Sequence, residues 1–204
     1  MLKKTALATA LIATALIATA LIATALAGAS QAQADDYVID TEGQHAFIQF
    51  KINHLGYSYI LGNFEEFSGQ FSYDPEDLEA ASVEMEVQVD SLTTNHAERD
   101  KHFISSDFLD AGEYPTATFV STGFTPNGDD EGVLTGDLTL HGETREIEMP
   151  VTLMGEGEDP WGGYRAGFEG STLLTLADFG IDMSDFPEVM HELELYVTFE
   201  GVRQ

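Results

Sequence analysis

Leu193-Glu194-Leu195-Tyr196-Val197-Thr198-Phe199-Glu200 changes from apolar to polar at almost every step. Successive side chains of a β-strand point to opposite faces, so this period of two sets Leu193, Leu195, Val197 and Phe199 against a core and their partners toward water. The pattern recurs upstream. Ala46, Ile48, Phe50 and Ile52 alternate with His45, Gln49 and Lys51. Phe67, Phe71 and Tyr73 alternate with Ser68, Gln70 and Ser72. Val83, Met85, Val87 and Val89 alternate with Glu84, Glu86 and Gln88. A strand around residues 116–122 buries Phe119, and Leu134, Leu138 and Leu140 alternate with Thr135, Asp137 and Thr139. Ile147, Met149, Val151 and Leu153 form a further inward set, followed by Ala166, Phe168, Thr172 and Leu174. That makes about eight strands.

The linkers carry turn chemistry. Pro126-Asn127-Gly128 and His141-Gly142 mark tight hairpins. No βαβ unit interrupts them, so the expected fold class is all-β, an antiparallel meander. Closing such a meander removes its exposed edges, and eight strands close into a barrel that either fills with side chains or holds one small ligand. Two segments break the period. Asp74-Pro75-Glu76-Asp77 reads as a cap, a proline at the first helical position and acids in the first turn. Asn95, with Glu98 three residues on, reads as a capping box that opens a helical insert to about Ile104. On that helix Ala97, Phe103 and Ile104 are expected to face the barrel, and Glu98, Arg99, Asp100 and Lys101 the water. Ser106 is a candidate cap for a further short turn.

The N-terminal residues 1–34 read as a secretory signal peptide. Lys3 and Lys4 open it, an apolar run from Ala6 to Ala27 follows, and Ala32-Gln33-Ala34 fits a small-x-small cleavage site. The run is long enough to approach a membrane span, so an uncleaved anchor is the alternative. Removing 34 of 204 residues leaves 170, one domain over 35–204 with room for a core. No second apolar span follows, so no stable membrane insertion is expected after cleavage. There is no cysteine, which excludes a lipid-anchored lipoprotein and any disulfide. The chain has 36 acids and 8 bases; two bases lie in the signal and no acid does, so the mature balance is about −30. Such a surface repels nucleic acid and anionic headgroups. It fits either simple solubility or adaptation to a salty compartment, where counterions screen the repulsion.

Catalytic and metal chemistry find little support. His96 and His102 are six residues apart on the presumed helix, not at the spacing of four that two helical ligands need. No loop has the spaced oxygens of a calcium site. There is no Gly-x-Ser-x-Gly elbow, no thiol, and no Gly-rich phosphate loop after a strand. The strand acids fall on the polar outer phase, so no raised carboxyl across a cleft is indicated.

The interior remains. Phe50, Phe67, Phe71, Phe119 and Phe168 fall on the inward phase. Gly69, Gly136, Ala46 and Ala166 are small and leave space between them. A filled core and a ligand cavity are both open on the pattern alone. At the strand ends, His54 and Arg145 are candidates for contact with a quinone, phenol or phosphate head. Trp161, in a Pro/Gly turn, either closes the pocket or covers the core rim.

Several motifs occur together and in order: Gly43-Gln44-His45-Ala46-Phe47, His54-Leu55-Gly56-Tyr57-Ser58, the Asn95–Phe103 insert, and Asp137-Leu138-Thr139-Leu140. Tyr114-Pro115-Thr116-Ala117-Thr118-Phe119, Asp159-Pro160-Trp161-Gly162-Gly163-Tyr164-Arg165-Ala166-Gly167-Phe168 and the ending Phe199-Glu200-Gly201-Val202 continue the series. From about Asp36 to Gln204 the chain resembles the YceI family of secreted, polyisoprenoid-binding proteins. The resemblance implies a lipocalin-like barrel that carries a long apolar lipid in the periplasm, catalyses nothing, needs no cofactor and is often a dimer. It moves the interior toward a cavity. Phe50, Ile52, Phe67, Phe71, Met85, Val87, Phe103, Phe119, Leu138, Leu140, Phe168 and Leu195 are then the expected ligand contacts. Transport or storage of an isoprenoid or quinone precursor is the leading role it implies. A structural or stress-related module with an incidental lipid comes second, and an isoprenoid-modifying enzyme third. The chain departs from the family pattern in its acidity, notably Asp129-Asp130-Glu131 and Glu156 to Asp159, which argues against a partner recognised through positive charge.

Overall fold

A computed structural model describes residues 34–204. The signal-peptide and anchor readings, Ala34 apart, lie outside the described residues. The chain runs β1 (Asp35–Ile39), β2 (Ala46–His54), β3 (Ser58–Phe64), β4 (Phe67–Tyr73), β5 (Ser82–Gln88), β6 (Leu92–Thr93), α1 (Ala97–Phe103), β7 (Thr116–Pro126), β8 (Glu131–Leu140), β9 (Glu143–Glu158), β10 (Tyr164–Thr175) and β11 (Glu192–Arg203). In β2 the predicted alternation holds: Ala46, Ile48, Phe50 and Ile52 are buried while Phe47 and Gln49 are exposed.

The strand segments merge into eight positions. β11 pairs its Leu193–Phe199 part with β2 and its Gly201–Arg203 part with β1, so β1 and β2 lie end to end. β3 and β4 continue one another along β2 and β1, and β6 and β5 along β3 and β4. β7 to β11 follow as antiparallel neighbours, with register shifts at residues 121–123 of β7 and 167–168 of β10, and the last position closes on the first. The molecule is therefore the eight-stranded antiparallel closed barrel with a short helix. Residues 40–45 bulge out between β1 and β2 at the seam. The β8–β9 turn is the expected tight hairpin: Leu140 pairs with Glu143, and His141 and Gly142 both have left-handed φ, 52° and 76°.

Three segments escape the sequence pattern. In β3, Tyr59 and Leu61 face outward and are more than half exposed, so the strand shows no polar phase. β1 is short and begins in a pair of acids. β6 has only two residues. The helical details also shift. Asn95 does not cap α1; it takes a left-handed φ of 61°, and His96 is the cap residue, its Nδ1 accepting from the Arg99 N–H at 3.3 Å. Ala97 is exposed rather than buried. Ser105, not Ser106, caps the next turn by accepting from the Asp107 N–H. Asp74 likewise starts a turn instead of a helix, accepting from the Glu76 N–H at 2.8 Å ahead of a single 3-10 turn over Leu78–Ala80.

Inside the barrel an apolar cluster lies toward each end. At one end Tyr37 stacks on Phe71 at 4.7 Å, and Phe168 meets Phe71 edge-on at 5.5 Å. At the other, the long β10–β11 connection folds under the opening, and its Leu176, Ile181, Met183 and Met190 pack with Phe50, Ile52 and Ile60. Phe103, Ile104 and Phe108 of the insert complete that cluster.

Candidate functional site

The inward faces do not meet. They enclose a cavity of about 440 Å³ that runs between the two clusters, within the roughly 300–1,000 Å³ of small-molecule pockets. Its wall is almost entirely aliphatic and aromatic. Phe50, Ile52, Phe71, Met85, Val87, Phe103, Phe119, Leu138, Leu140, Phe168 and Leu195 all border it. Phe67 does not; it packs into the wall against two neighbouring core clusters. The β10–β11 connection also borders the cavity, through Leu176, Ile181, Met183, Phe186 and Met190, and sequence reasoning missed it. The available signal was its length together with its apolar content in a very acidic chain.

The small residues work differently from the expectation. A Cβ on Gly136 would lie 2.4 Å from Phe119 Cζ, and one on Gly62 would lie 2.3 Å from Phe50 Cζ. Gly69 is crowded by Ile39 and Met85. These glycines do not form the void. Gly62 and Gly136 let the Phe50 and Phe119 rings lie back against the neighbouring strand, so that these rings line the lumen rather than fill it.

The rims are polar and unlike each other. Asp129, Asp130 and Glu131 of the β7–β8 turn line one end, with Tyr73. Burial, then the Glu156 carboxylate, pushes the Tyr73 hydroxyl up to about 12, so it remains a donor at neutral pH. At the other end stand His54, Arg99 and His102. Arg99, His102 and Phe103 fall on one face of α1, three and four residues apart. Arg99 therefore turns inward, against the expectation that it faces water. It is tied down by Thr94: its Nε donates to Oγ1 and its Nη2 to the carbonyl, each at 2.7 Å. Asp100 takes the other side of Thr94, accepting from its N–H at 2.8 Å and from its hydroxyl. Burial opposes ionisation of Asp100, but these bonds and the Arg99 charge hold its carboxyl below the ordinary value.

Two candidates lie elsewhere. Arg145 is exposed, pairs with Glu143 at 3.0 Å and does not border the cavity. Trp161 is 77 % exposed and neither closes the pocket nor covers the core; it lies beside the Arg165 guanidinium. Arg165 locks the barrel seam. It donates to Asp40 at 2.6 Å, to Asp159 at 3.0 Å and to Glu200 at 3.1 Å. Among the described residues no group of three or more histidines and acids is placed to hold a metal ion.

The fold and several relatives are known. A "UPF0312 protein" of Pseudomonas fluorescens is 50 % identical over 100 % of this chain and 99 % of its own length. Burkholderia cenocepacia BcnA superposes with a TM-score of 0.71 at 22 % identity, over 79 % of this chain and 98 % of its own. A polyisoprenoid binding domain from Saccharophagus degradans, implicated in plant cell wall breakdown, superposes with a TM-score of 0.63 at 13 % identity, over 82 % and 98 %. The family model of the YceI-like domain matches residues 37–201, and with it the barrel, its insert and its seam: the chain belongs to the YceI family.

Proposed function

We propose that the protein holds a long-chain polyisoprenoid, a quinone precursor or a similar amphiphile, in the barrel cavity for transport or storage in the periplasm. The observation that carries this reading is the continuous apolar cavity between two polar rims. Each methylene-sized unit moved from water into such a wall gains about 0.8 kcal/mol, so a long tail needs few polar contacts. The polyisoprenoid binding of the Saccharophagus domain, on the same fold, agrees with it. The protein acts in this reading by sequestration and needs neither cofactor nor catalytic group.

The test is mass spectrometry of lipid extracted from protein purified without detergent, followed by uptake into delipidated protein. One stoichiometric isoprenoid is the expected result. A mixture of unrelated lipids would favour the structural module with a permissive pocket. No isoprenoid uptake at micromolar concentration, with a folded barrel, would end the carrier reading. Phe71→Asp should abolish uptake, while Glu84→Gln on the outer face should leave it intact.

A further inference from the structure

Arginine in this chain is almost always neutralised. Arg145, Arg165 and Arg203 each lie within 3.0 Å of a carboxylate. Arg99 is the exception. In a protein of 36 acids and 8 bases, it makes no ion pair among the described residues, and it lines the cavity. Its two bonds go to the neutral Thr94. A guanidinium has five N–H donors in a fixed fork, so the remaining donors have no protein acceptor among the described residues. Thr94, itself 4 % exposed, fixes the fork in place. His102, one turn along the same helix face, and His54, at the end of β2, border the same part of the cavity. The carboxylates nearby are engaged otherwise: Asp100 with Thr94, and Asp107 at 3.4 Å from His102 Nε2. The opposite rim, with Asp129, Asp130 and Glu131, has only acids as its charged groups.

We propose that the α1 rim is an oxyanion station, at which Arg99, with His54 on the same rim, holds the phosphate or carboxylate head of an amphiphile whose tail lies in the barrel. The proposal rests on the carrier reading and adds to it a headgroup class and a direction. A fixed guanidinium suits a flat or tetrahedral oxyanion through paired charge-assisted hydrogen bonds. The acidic rim repels the same head, so the ligand enters one way round. The overall negative charge makes this local positive site necessary for any anionic ligand.

The test is calorimetric titration of delipidated protein with geranylgeranyl phosphate, geranylgeraniol and oleate, each below its micelle concentration. Wild type should bind the phosphate at least about tenfold more tightly than the alcohol, the scale of one charge-assisted hydrogen bond. Arg99→Gln should bring the two to parity by weakening the phosphate far more than the alcohol, and Arg99→Lys should restore part of the preference. An Arg99-dependent oleate affinity would support a general oxyanion station, and an Arg99-independent one a phosphate station. Equal loss of both isoprenoids in Arg99→Gln, or a preference that survives it, overturns the proposal. Should Arg99→Gln fail to fold, the wild-type ratio decides. A preference of about tenfold or more for the phosphate sustains the proposal, and parity with the alcohol overturns it. Binding of the alcohol without preference sinks the station alone; binding of neither isoprenoid sinks the carrier reading.

Discussion

Asp40→Asn is the substitution that best isolates what holds the barrel closed. Asp40 sits at the seam, where residues 40–45 bulge out and β11 passes from β2 to β1. Its Oδ2 lies 2.6 Å from Arg165 Nη1 and 3.2 Å from His45 Nδ1, and its Oδ1 accepts the Gly43 N–H at 2.8 Å. Arg165 first, then Gly43, lower its carboxyl from 3.8 to about 2. At about 1.36 kcal/mol per pH unit, that shift sets a ceiling of about 2.4 kcal/mol. The side chain is only 13 % exposed, but the adjoining Glu200 is 45 % exposed. Water that reaches the cluster screens part of the interaction, and about 1–2 kcal/mol is the expected contribution. The sign follows from the lowered value. The contribution is complete above the ordinary carboxylate range and is lost as pH falls through about 4 toward 2. Urea unfolding of wild type and Asp40→Asn should therefore differ by about 1–2 kcal/mol at pH 7, and the gap should shrink to a small fraction of that by pH 2. Taking the difference at each pH cancels the titration of the other acids. Removing one negative charge also relieves self-repulsion in a chain this acidic, but that effect is spread over the surface, whereas Arg165 is in direct contact. A variant as stable as wild type at pH 7 would mean that the diffuse repulsion wins. A deficit constant down to pH 2 would mean that shape, not charge, holds the seam.

Three further outcomes follow from the geometry. Phe103→Ala, in the insert beneath the cavity, should speed ligand release several-fold in stopped-flow displacement. Being half-buried, it should lower stability by only about 1–2 kcal/mol, against about 3–5 for a fully buried phenylalanine; equal off-rates would make the insert simple packing. Gly62→Ala drives a methyl into the Phe50 ring, so it should destabilise by about 1–3 kcal/mol in urea unfolding and reduce lipid uptake; an unchanged midpoint and uptake would show that the ring moves freely. Raising salt from about 0.1 to about 1 M should increase the melting temperature with sodium and potassium alike, as the screening length falls from about 10 to about 3 Å, and less so on mild acidification; a flat response would remove the case for halophilic adaptation.

The parts of the cavity that were legible are those where a strand has one apolar and one polar face. β2, β5 and β11 gave Phe50, Ile52, Met85, Val87 and Leu195 directly, and all of them border the lumen. β3 was hidden because Tyr59 and Leu61 are apolar on the water side. The β10–β11 connection was hidden because an irregular segment has no period to read. Arg99 was misplaced for a related reason. Helical spacing puts it on one face with His102 and Phe103, but a charged residue on a short amphipathic helix is assigned to water unless a partner is known. Thr94 is that partner, and it becomes visible only when the chain folds back.

The sequence alone determined the phases of the eight main strands, the hairpin at His141-Gly142 and the antiparallel order, because each depends on residues close together in the chain. It could not decide whether the interior was filled. That depends on how far apart inward side chains from opposite strands stand, and on where their rings lie. The tertiary structure decided it through contacts between distant segments: Gly62 receiving Phe50, Gly136 receiving Phe119, Arg165 drawing Asp40 and Glu200 together across the seam. A local period fixes which way a side chain points, but only the closed barrel fixes what it meets there.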